Sequence, residues 1–467
     1  MCRVGEGCDQ AHNVKQHAPR SYPHPLSRTM EPEMAAGWGV DKRSTAVWAV
    51  GLSAYLIGIM HRTSFGVAGL DAAQRFGAGP ALLSGFVVLQ LLVYALLQVP
   101  AGVLLDRFGA RTVVAVGGLT MAAGQVLLGA TTALPLAIAA RVLVGIGDAC
   151  TFVSVFSLVP AWFTARRVPV MTQLTGLFGQ LGQVLSALPL AALLHTAGWT
   201  AAFVSAGGLG VFVSLTAWAV VRDRPAGAPA PPPARTVADV IAGIRASWRE
   251  PGTRLGLWSH TGTQFSGMVF ALLWGVPYLV AGQGFSPTEA AVMLTLLVAV
   301  GIVAGPLFGE FTARHPLRRS WLVITVIATT ALVWTVVLLV PPPAPTWLVV
   351  VLVVVLATGG PGSMIGFDYA RTFNPAHRGG TAVGIVNIGG FTASLLTSFG
   401  VGAILGIVSP AGYTPEAFRL AWTVQYVFWA VAIVGVLLAR RKARRKMAEE
   451  GVVVPPLREV LARRRGD

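Results

Sequence analysis

The sequence predicts an all-α integral membrane protein with twelve transmembrane helices in two pseudo-symmetric six-helix halves. Three observations support this fold class: the chain is very apolar, its apolar residues form long blocks, and its positive charges avoid every second loop. Of the 467 residues, 54% are hydrophobic and 12% are charged, which is about half the charge of a typical soluble protein.

Each apolar block is long enough to cross a bilayer, because a hydrocarbon core about 30 Å thick needs about 20 apolar residues per helix. The blocks cover 45–68, 81–105, 112–131, 134–160, 170–196, 200–221, 255–282, 288–311, 319–341, 346–371, 378–408 and 417–439. They predict five regions, namely an N-terminal tail over 1–44, a first six-helix half over 45–221, a linker over 222–254, a second half over 255–439 and a basic tail over 440–467.

The net charge of +16 is distributed unevenly among the predicted loops. With both termini in the cytoplasm, all but four of the 35 Lys and Arg residues fall in cytoplasmic segments. Arg75 and Arg419 lie in outer loops, and Arg62 and Arg141 lie within helices. This asymmetry follows the positive-inside rule and predicts a multi-pass protein of the inner cell membrane. It favours contact with anionic lipid over binding of nucleic acid.

Several other features limit the function. Either Met30 or Met34, just before the first apolar block, is a candidate start of the chain. The three cysteines do not predict a disulfide framework. The sequence contains no metal-ligand spacing and no nucleotide-binding motif, so we expect no enzyme, no cofactor and no metal site. In the linker, a Pro-rich spacer precedes apolar residues at helical spacing, which predicts a short interfacial helix.

The two halves contain related segments. The stretch AGVLLDRFGAR, Ala101–Arg111, aligns without gaps with AGPLFGEFTAR, Ala304–Arg314. In the second copy, Gly309 and Glu310 replace the Asp-Arg pair of the first. Internal repeats of this kind are typical of transporters, which bind their substrates where the repeats meet.

The first copy resembles the signature of the major facilitator superfamily, G-x-x-x-D-R-x-G-x-R between helices two and three. The matching residues are Gly102, Asp106, Arg107, Gly109 and Arg111. The glycine at the start of the signature allows close helix approach, and the aspartate suits a helix N-terminus. The resemblance implies that these residues gate the two halves, and the altered second copy predicts a weaker lock.

Arg62 lies inside the first apolar block. A central arginine costs roughly 2.5–3.5 kcal/mol by insertion scales, so Arg62 should face the bundle interior. Arg141 and Asp148 share one face of helix four, because they are seven residues apart. An Arg62–Asp148 ion pair is expected, either as a purely structural pair or as part of a site. Two arginines to one aspartate leave a surplus positive charge that an anionic substrate would balance.

The segments RTSFGVA in helix one and RVLVGIGDA in helix four resemble those of organic-anion carriers of the same superfamily, the anion:cation symporters and organophosphate antiporters. The resemblance implies that Arg62 binds the anion and that Asp148 and Arg141 take part in proton coupling. His61 stands where these carriers have an acid, and it is a second titratable candidate. Helix seven lacks the arginine of the organophosphate antiporters, which favours a carboxylate or sugar acid over a phosphate ester.

Uncharged residues are candidates to complete the site, or else to hydrogen-bond between helices. They are Tyr55, Gln180, Gln264, Tyr278 and Asn387. Near the end of helix ten, Asp368 and Arg371 fit a gating role and a role in anchoring the topology equally well.

The resulting hypothesis is a monomeric secondary transporter that moves a small organic anion with protons by alternating access. One alternative is efflux of drugs or metabolites by the same fold, although the fifth helix lacks the Gly-Pro of drug antiporters. Another is a transport-like sensor that binds its ligand and signals to a membrane partner.

Overall fold

A computed structural model describes residues 41–77, 80–225, 236–409 and 413–452 of the chain. These residues form helices and connecting loops, and no strand occurs among them. The described residues from 41 to 444 belong to one compact unit. Both candidate start residues, Met30 and Met34, lie outside the described residues.

The helices follow the order of the predicted apolar blocks. Their bounds are α1 Lys42–Val67, α2 Gly69–Phe76, α3 Pro80–Ala130, α4 Leu134–Trp162, α5 Val168–Leu185, α6 Ala191–Val220, α7 Val237–Arg249, α8 Pro251–Val269, α9 Pro287–Arg314, α10 Arg319–Leu339, α11 Thr346–Ala357, α12 Gly359–Phe373, α13 Gly379–Val408, α14 Pro415–Ala421 and α15 Gln425–Glu449. Two π-helical segments, Phe270–Trp274 and Tyr278–Gly282, extend α8.

Ten helical segments of the described chain are long and apolar enough to cross a membrane. Two of them, of 43 and 53 residues, are too long for a single crossing of a bilayer. The first turns at Gly109 (φ 80°) and the second at Gly198 (φ 82°), in a left-handed conformation that glycine adopts without steric cost. Each long segment therefore makes two crossings, and the predicted all-α fold of twelve transmembrane helices is confirmed.

Two elements differ in detail from a plain bundle of crossings. The linker sequence predicts a short helix, which is α7; it begins with a capping box formed by Thr236 and Asp239. The helix of the last crossing continues past 439, because α15 extends through the basic residues to Glu449. Lys and Arg are good helix formers, and the Arg445–Glu449 pair supports the extension at the favourable i,i+4 spacing.

The two halves contact each other through pairs of crossings. The second crossing, in α3, packs on α13, and α5 packs on α9. α4 contacts α12 through the rings of Phe152 and Phe367, whose centroids are 5.6 Å apart. We call the end of the bundle that holds Asp106, Gly380 and Thr381 the Asp106 end. The contacts run from there to Tyr94, whose ring lies 4.5 Å from that of Phe391.

Candidate functional site

Arg62 and Asp148 form a two-pronged ion pair between α1 and α4. Nε of Arg62 donates to Oδ2 of Asp148 at 2.6 Å, and Nη2 donates to Oδ1 at 2.8 Å. The Asp148 side chain is 1% exposed, whereas that of Arg62 is 17% exposed. A small molecule that enters the bundle would therefore meet the guanidinium and not the carboxylate.

Arg141 lies beside this pair and is fully buried. Its Nη2 donates to the backbone oxygen of Arg62 at 3.0 Å and to Oε1 of Gln90. Its Nε and Nη1 atoms have no hydrogen-bond partner among the described residues. The guanidinium also lies 5.1 Å from the ring of Phe65. A buried charge held only by neutral acceptors attracts any anion that comes near it.

Arg62, Arg141 and Asp148 together carry a net charge of +1. Among the described residues, Asp148 is the only acid in contact with either arginine. A structural ion pair would need only one arginine. The second arginine makes the centre attractive to a negatively charged ligand.

Tyr94 links this charged centre to the second half. The guanidinium of Arg62 lies 4.9 Å from the Tyr94 ring, in a cation–π contact. Nδ2 of Asn387, on α13, donates to the Tyr94 hydroxyl at 3.0 Å and to Oε1 of Gln98 at 2.7 Å. The ion pair and Asn387 are thus joined by a continuous set of polar contacts across the interface between the halves.

A second polar cluster, formed by His260, Gln264 and Asn387, lies on the other side of that interface. Nδ1 of His260 donates to the backbone oxygen of Ser363 at 3.1 Å, which leaves Nε2 as an acceptor. Three acceptor atoms lack a partner in the described chain: Nε2 of His260, Oε1 of Gln264 and Oδ1 of Asn387. A Cβ atom on Gly390 would touch both His260 and Gln264, so these two side chains face the same point. Such a cluster suits ligand groups that donate hydrogen bonds, such as hydroxyls.

The structure brings some of the other candidate residues to this centre and not others. Tyr55 is buried beside the ion pair and packs on Phe152 and Phe156. Gln180 is exposed and accepts from the Gln183 side chain. Tyr278 lies elsewhere, within the aromatic core of the second half. Its hydroxyl accepts from Gln283 at 2.9 Å.

His61 bonds to α6 and not to the ion pair. Its Nε2 donates to the backbone oxygen of Ala206 at 3.0 Å, and its ring packs against Gly210. The residue is 1% exposed. Its hydrogen bonding therefore fixes the ring in the first half, next to Arg62 in sequence but on a different face of α1.

The signature residues of the first copy join α3 to α13 at the Asp106 end. Oδ1 of Asp106 accepts from the Gly380 N–H at 2.8 Å, and Oδ2 accepts from the N–H and the hydroxyl of Thr381 at 2.8 and 2.6 Å. The carboxylate thus caps the N-terminus of α13, where the helix dipole favours a negative charge. A Cβ atom on Gly102 would overlap the backbone oxygen of Gly380, so only glycine allows this close approach.

The remaining signature residues shape the turn after the second crossing. A Cβ atom on Gly109 would overlap the carboxylate of Asp223, and that carboxylate accepts from the Arg111 N–H at 2.8 Å. The Arg111 side chain donates to the backbone oxygen of Trp218 at 2.7 Å and stacks on its ring. Arg107 lies over the ring of the next residue. These contacts tie the turn to the end of α6.

Two further contacts join the halves near the Asp106 end. Arg371 pairs with Asp368 and donates to the Thr172 hydroxyl, on α5, at 3.1 Å. In the second signature copy, Glu310 pairs with Arg314 on its own helix at 2.5 Å. Gly309 packs closely against Val170 at the start of α5.

The fold and the charged centre define a multi-pass membrane protein built from two related halves. The family model of the Major Facilitator Superfamily matches residues 51–398. The chain belongs to this superfamily, so the predicted resemblance is confirmed. The superfamily consists of transporters and not of enzymes.

Two curated relatives carry the names of sugar-acid transporters. The chain is 25% identical over 193 residues to the probable L-galactonate transporter of Escherichia coli K12, covering 40% of this chain and 43% of the relative. It is 26% identical over 199 residues to the probable galactarate/D-glucarate transporter GudP of the same organism, covering 41% and 44%. The chain thus spans less than half the length of these relatives. Their names agree with the organic-anion branch that the first and fourth helices predict.

A solved structure shows the same fold. It is a bacterial homologue of the human lysosomal transporter Spinster, crystallised in an inward-facing and unoccupied conformation. It aligns with a TM-score of 0.52 at 18% identity, covering 86% of this chain and 98% of that one.

The sequence alone did not point to Tyr94 or His260. Tyr94 sits within an apolar stretch, where an aromatic residue is usually part of the core. His260 lies in a helix whose one charged residue, Arg254, stands at its start. The partners of Tyr94 and His260 are on helices distant in sequence. A histidine inside a crossing is nevertheless an unusual residue in a bilayer, and that signal could have drawn attention to His260.

Proposed function

We propose that the protein is a secondary active transporter that moves a small organic anion across the cell membrane by alternating access. The substrate class is a carboxylate or sugar acid rather than a phosphate ester. Transport is coupled to protons by symport, and the chain works as a monomer.

The observation that carries this proposal is the surplus positive charge beside the Arg62–Asp148 pair. Arg62 is the exposed member of the pair, and its planar guanidinium matches the geometry of a carboxylate. Arg141 adds a second positive charge that no acid contacts in the described chain. The names of the two relatives, which mention galactonate, galactarate and glucarate, agree with an acidic sugar.

The polar contacts across the interface suggest how a longer substrate would lie. Its carboxylate would bind at Arg62, and its hydroxyls would donate to the acceptors of His260, Gln264 and Asn387. Such a ligand would touch both halves, which is what alternating access requires of a central site. Tyr55 and Tyr94 would line the side of the first half.

The conformation supports this mechanism. By the positive-inside rule, the Asp106 end faces the cytoplasm. Asp106 and Arg371 join the halves at that end, so the cytoplasmic gate is closed. An anion would then reach Arg62 from the opposite face, and opening the cytoplasmic gate would require release of these contacts.

Proton coupling follows because Asp148 and the substrate carboxylate compete for the guanidinium of Arg62. Asp148 now uses two N–H groups of Arg62. A bound carboxylate needs the same groups, and protonation of Asp148 would release them. Binding of the anion and binding of a proton therefore favour each other, which is the linkage that symport requires.

An uptake screen in proteoliposomes tests the proposal. We expect hexonates or hexarates to be accumulated under an inward proton gradient, and short carboxylates to a smaller extent. Phosphate esters and cationic dyes should not be accumulated. Uptake of dyes alone would favour the efflux hypothesis, and binding without counterflow would favour a sensor.

A further inference from the structure

A groove outside the central site lies at the Asp106 end, between the linker helix α7 and the turn before α13. Its volume is about 760 Å³. Ile241, Arg245 and Arg249 line it from α7, and Arg378 lines it from the other side. The contacts of the transport mechanism described above do not involve this groove.

Positive charge dominates the groove. Three of its lining residues are arginines, against a single acid, Glu250. Nε of Arg378 is buried and lacks a hydrogen-bond partner in the described part of the chain. Arg245 and Arg249 form no ion pair with any described acidic residue, and both are exposed. These guanidinium groups are available to a ligand with acceptor oxygens.

Apolar side chains stand next to these charges. Ile241 is 46% exposed and Trp248 is 47% exposed, although both are large hydrophobic residues. They are seven residues apart and therefore share one face of α7. An exposed apolar face beside arginines is the pattern of a helix that lies in the headgroup region of a bilayer.

We propose that this groove is a binding site for an anionic phospholipid. The phosphodiester would bind to Arg245, Arg249 and Arg378, and Ile241 and Trp248 would contact the start of the acyl chains. Basic pockets between helices on the cytoplasmic side of membrane proteins bind headgroups of this kind. A soluble anion would match the arginines but would leave the apolar face uncovered.

The position of Arg378 gives the lipid a consequence for the gate. Arg378 comes two residues before Gly380, whose N–H bonds to Asp106. A headgroup shared between α7 and Arg378 would hold the start of α13 where Asp106 caps it. Anionic lipid would therefore stabilise the conformation closed at the Asp106 end.

Native mass spectrometry of the purified full-length protein tests the site. The probes are phosphatidylglycerol and phosphatidylcholine with identical acyl chains. Because arginines near the membrane surface attract anionic headgroups, we expect phosphatidylglycerol to bind at least about tenfold more tightly than phosphatidylcholine. The Arg245→Gln/Arg249→Gln/Arg378→Gln variant should lose this preference, and the corresponding triple Lys variant should keep most of it.

The matched control removes three exposed arginines elsewhere, in Arg43→Gln/Arg166→Gln/Arg441→Gln, and should keep the preference. Equal loss in the control would show diffuse attraction of lipid, and no loss in the groove variant would show that the groove is not the site. Either result overturns the proposal. Glycerol 3-phosphate is the soluble probe, and binding as tight as that of the lipid would overturn the assignment to a lipid. If the glutamine variant does not elute as a single species, the single variant Arg249→Gln, at an exposed residue, replaces it, and an undiminished preference for phosphatidylglycerol in that variant overturns the proposal.

Discussion

At the scale of single residues, the central feature is a buried ion pair with a second arginine beside it. Asp148 offsets the charge of Arg62 by two short hydrogen bonds, and Arg141 has only neutral acceptors. Burying such charges is costly, and well-packed apolar residues would often be as stable. Charged residues within membrane helices usually mark the path of a substrate or proton. The arrangement is therefore better explained by ligand binding than by stability.

Arg62→Lys should reduce kcat/KM for a sugar acid by about 10- to 100-fold, because an ammonium group cannot make the paired hydrogen bonds of a guanidinium. Arg62→Ala should abolish transport while the protein still inserts into the membrane. The measurement is initial uptake in proteoliposomes, with protein amount and monodispersity checked in parallel. Arg75→Lys is the matched control, because Arg75 donates to the backbone oxygens of Thr131 and Gly129 and lies over the Trp199 ring, away from the ion pair. Normal uptake by the Arg62 variants would remove this residue from the site.

His260→Leu should weaken binding of hydroxylated acids, because it removes an acceptor facing Gln264 and Asn387. The loss of one hydrogen bond predicts a KM for a hexonate that is raised about 3- to 10-fold. The KM for hexanoate, which has no hydroxyls, should stay within about twofold. The exposed His315→Leu variant is the control. An equal change for both acids would mean that His260 supports the helix packing only.

At the scale of helices, we propose that the contact between α3 and α13 controls which face of the protein is closed. The start of α13 approaches Gly102 so closely that no side chain fits, and Asp106 holds its first N–H groups. Both interactions depend on the two halves being together. They would be lost when the Asp106 end opens, so their strength sets the balance between the two conformations.

Gly102→Val should shift this balance toward the open state, because the new side chain overlaps the Gly380 backbone. Overpacking of about 1–3 kcal/mol corresponds to a shift of about 5- to 150-fold. A cysteine at Val383, buried between the halves, reports the change by its rate of alkylation in a variant without native cysteines. Gly208→Val, which meets no atom within 4 Å, is the control. Equal alkylation rates in both variants would contradict a gating role for Gly102.

Asp106→Asn should have a smaller effect in the same direction. The amide keeps one acceptor oxygen but loses the charge that the N-terminus of α13 favours, an interaction worth about 0.3–1 kcal/mol. Transport should slow while the affinity for substrate is largely retained. Loss of binding at an unchanged alkylation rate would contradict this assignment.

At the scale of the whole molecule, the fold could be predicted because the bilayer imposes a simple rule on sequence. Every crossing needs a long apolar block, and the repeat around Asp106 relates the two halves. The Arg62–Asp148 pair could also be predicted, since an unpaired charge is costly inside the membrane. The polar contacts across the interface could not, because Tyr94 and Asn387 are 293 residues apart and neither is charged. Periodicity within one helix does not identify its packing partner, so the sequence could not show that Tyr278 packs in the core of the second half.

At this scale, the proposed proton coupling depends on competition between Asp148 and the substrate for Arg62. Asp148→Asn has the shape and charge of the protonated acid, so the variant should bind the anion without a proton. Exchange of a transported hexonate across proteoliposomes at equal pH should continue at a rate within about tenfold of the original protein. Accumulation driven by an inward proton gradient should fall to the level of passive equilibration.

The most direct measurement compares these two assays on the same Asp148→Asn preparation. If Asp148 couples transport to protons, we expect the variant to retain exchange and to lose accumulation under an imposed pH gradient. A variant that still concentrates its substrate in response to the pH gradient would contradict the account and remove Asp148 from the coupling mechanism.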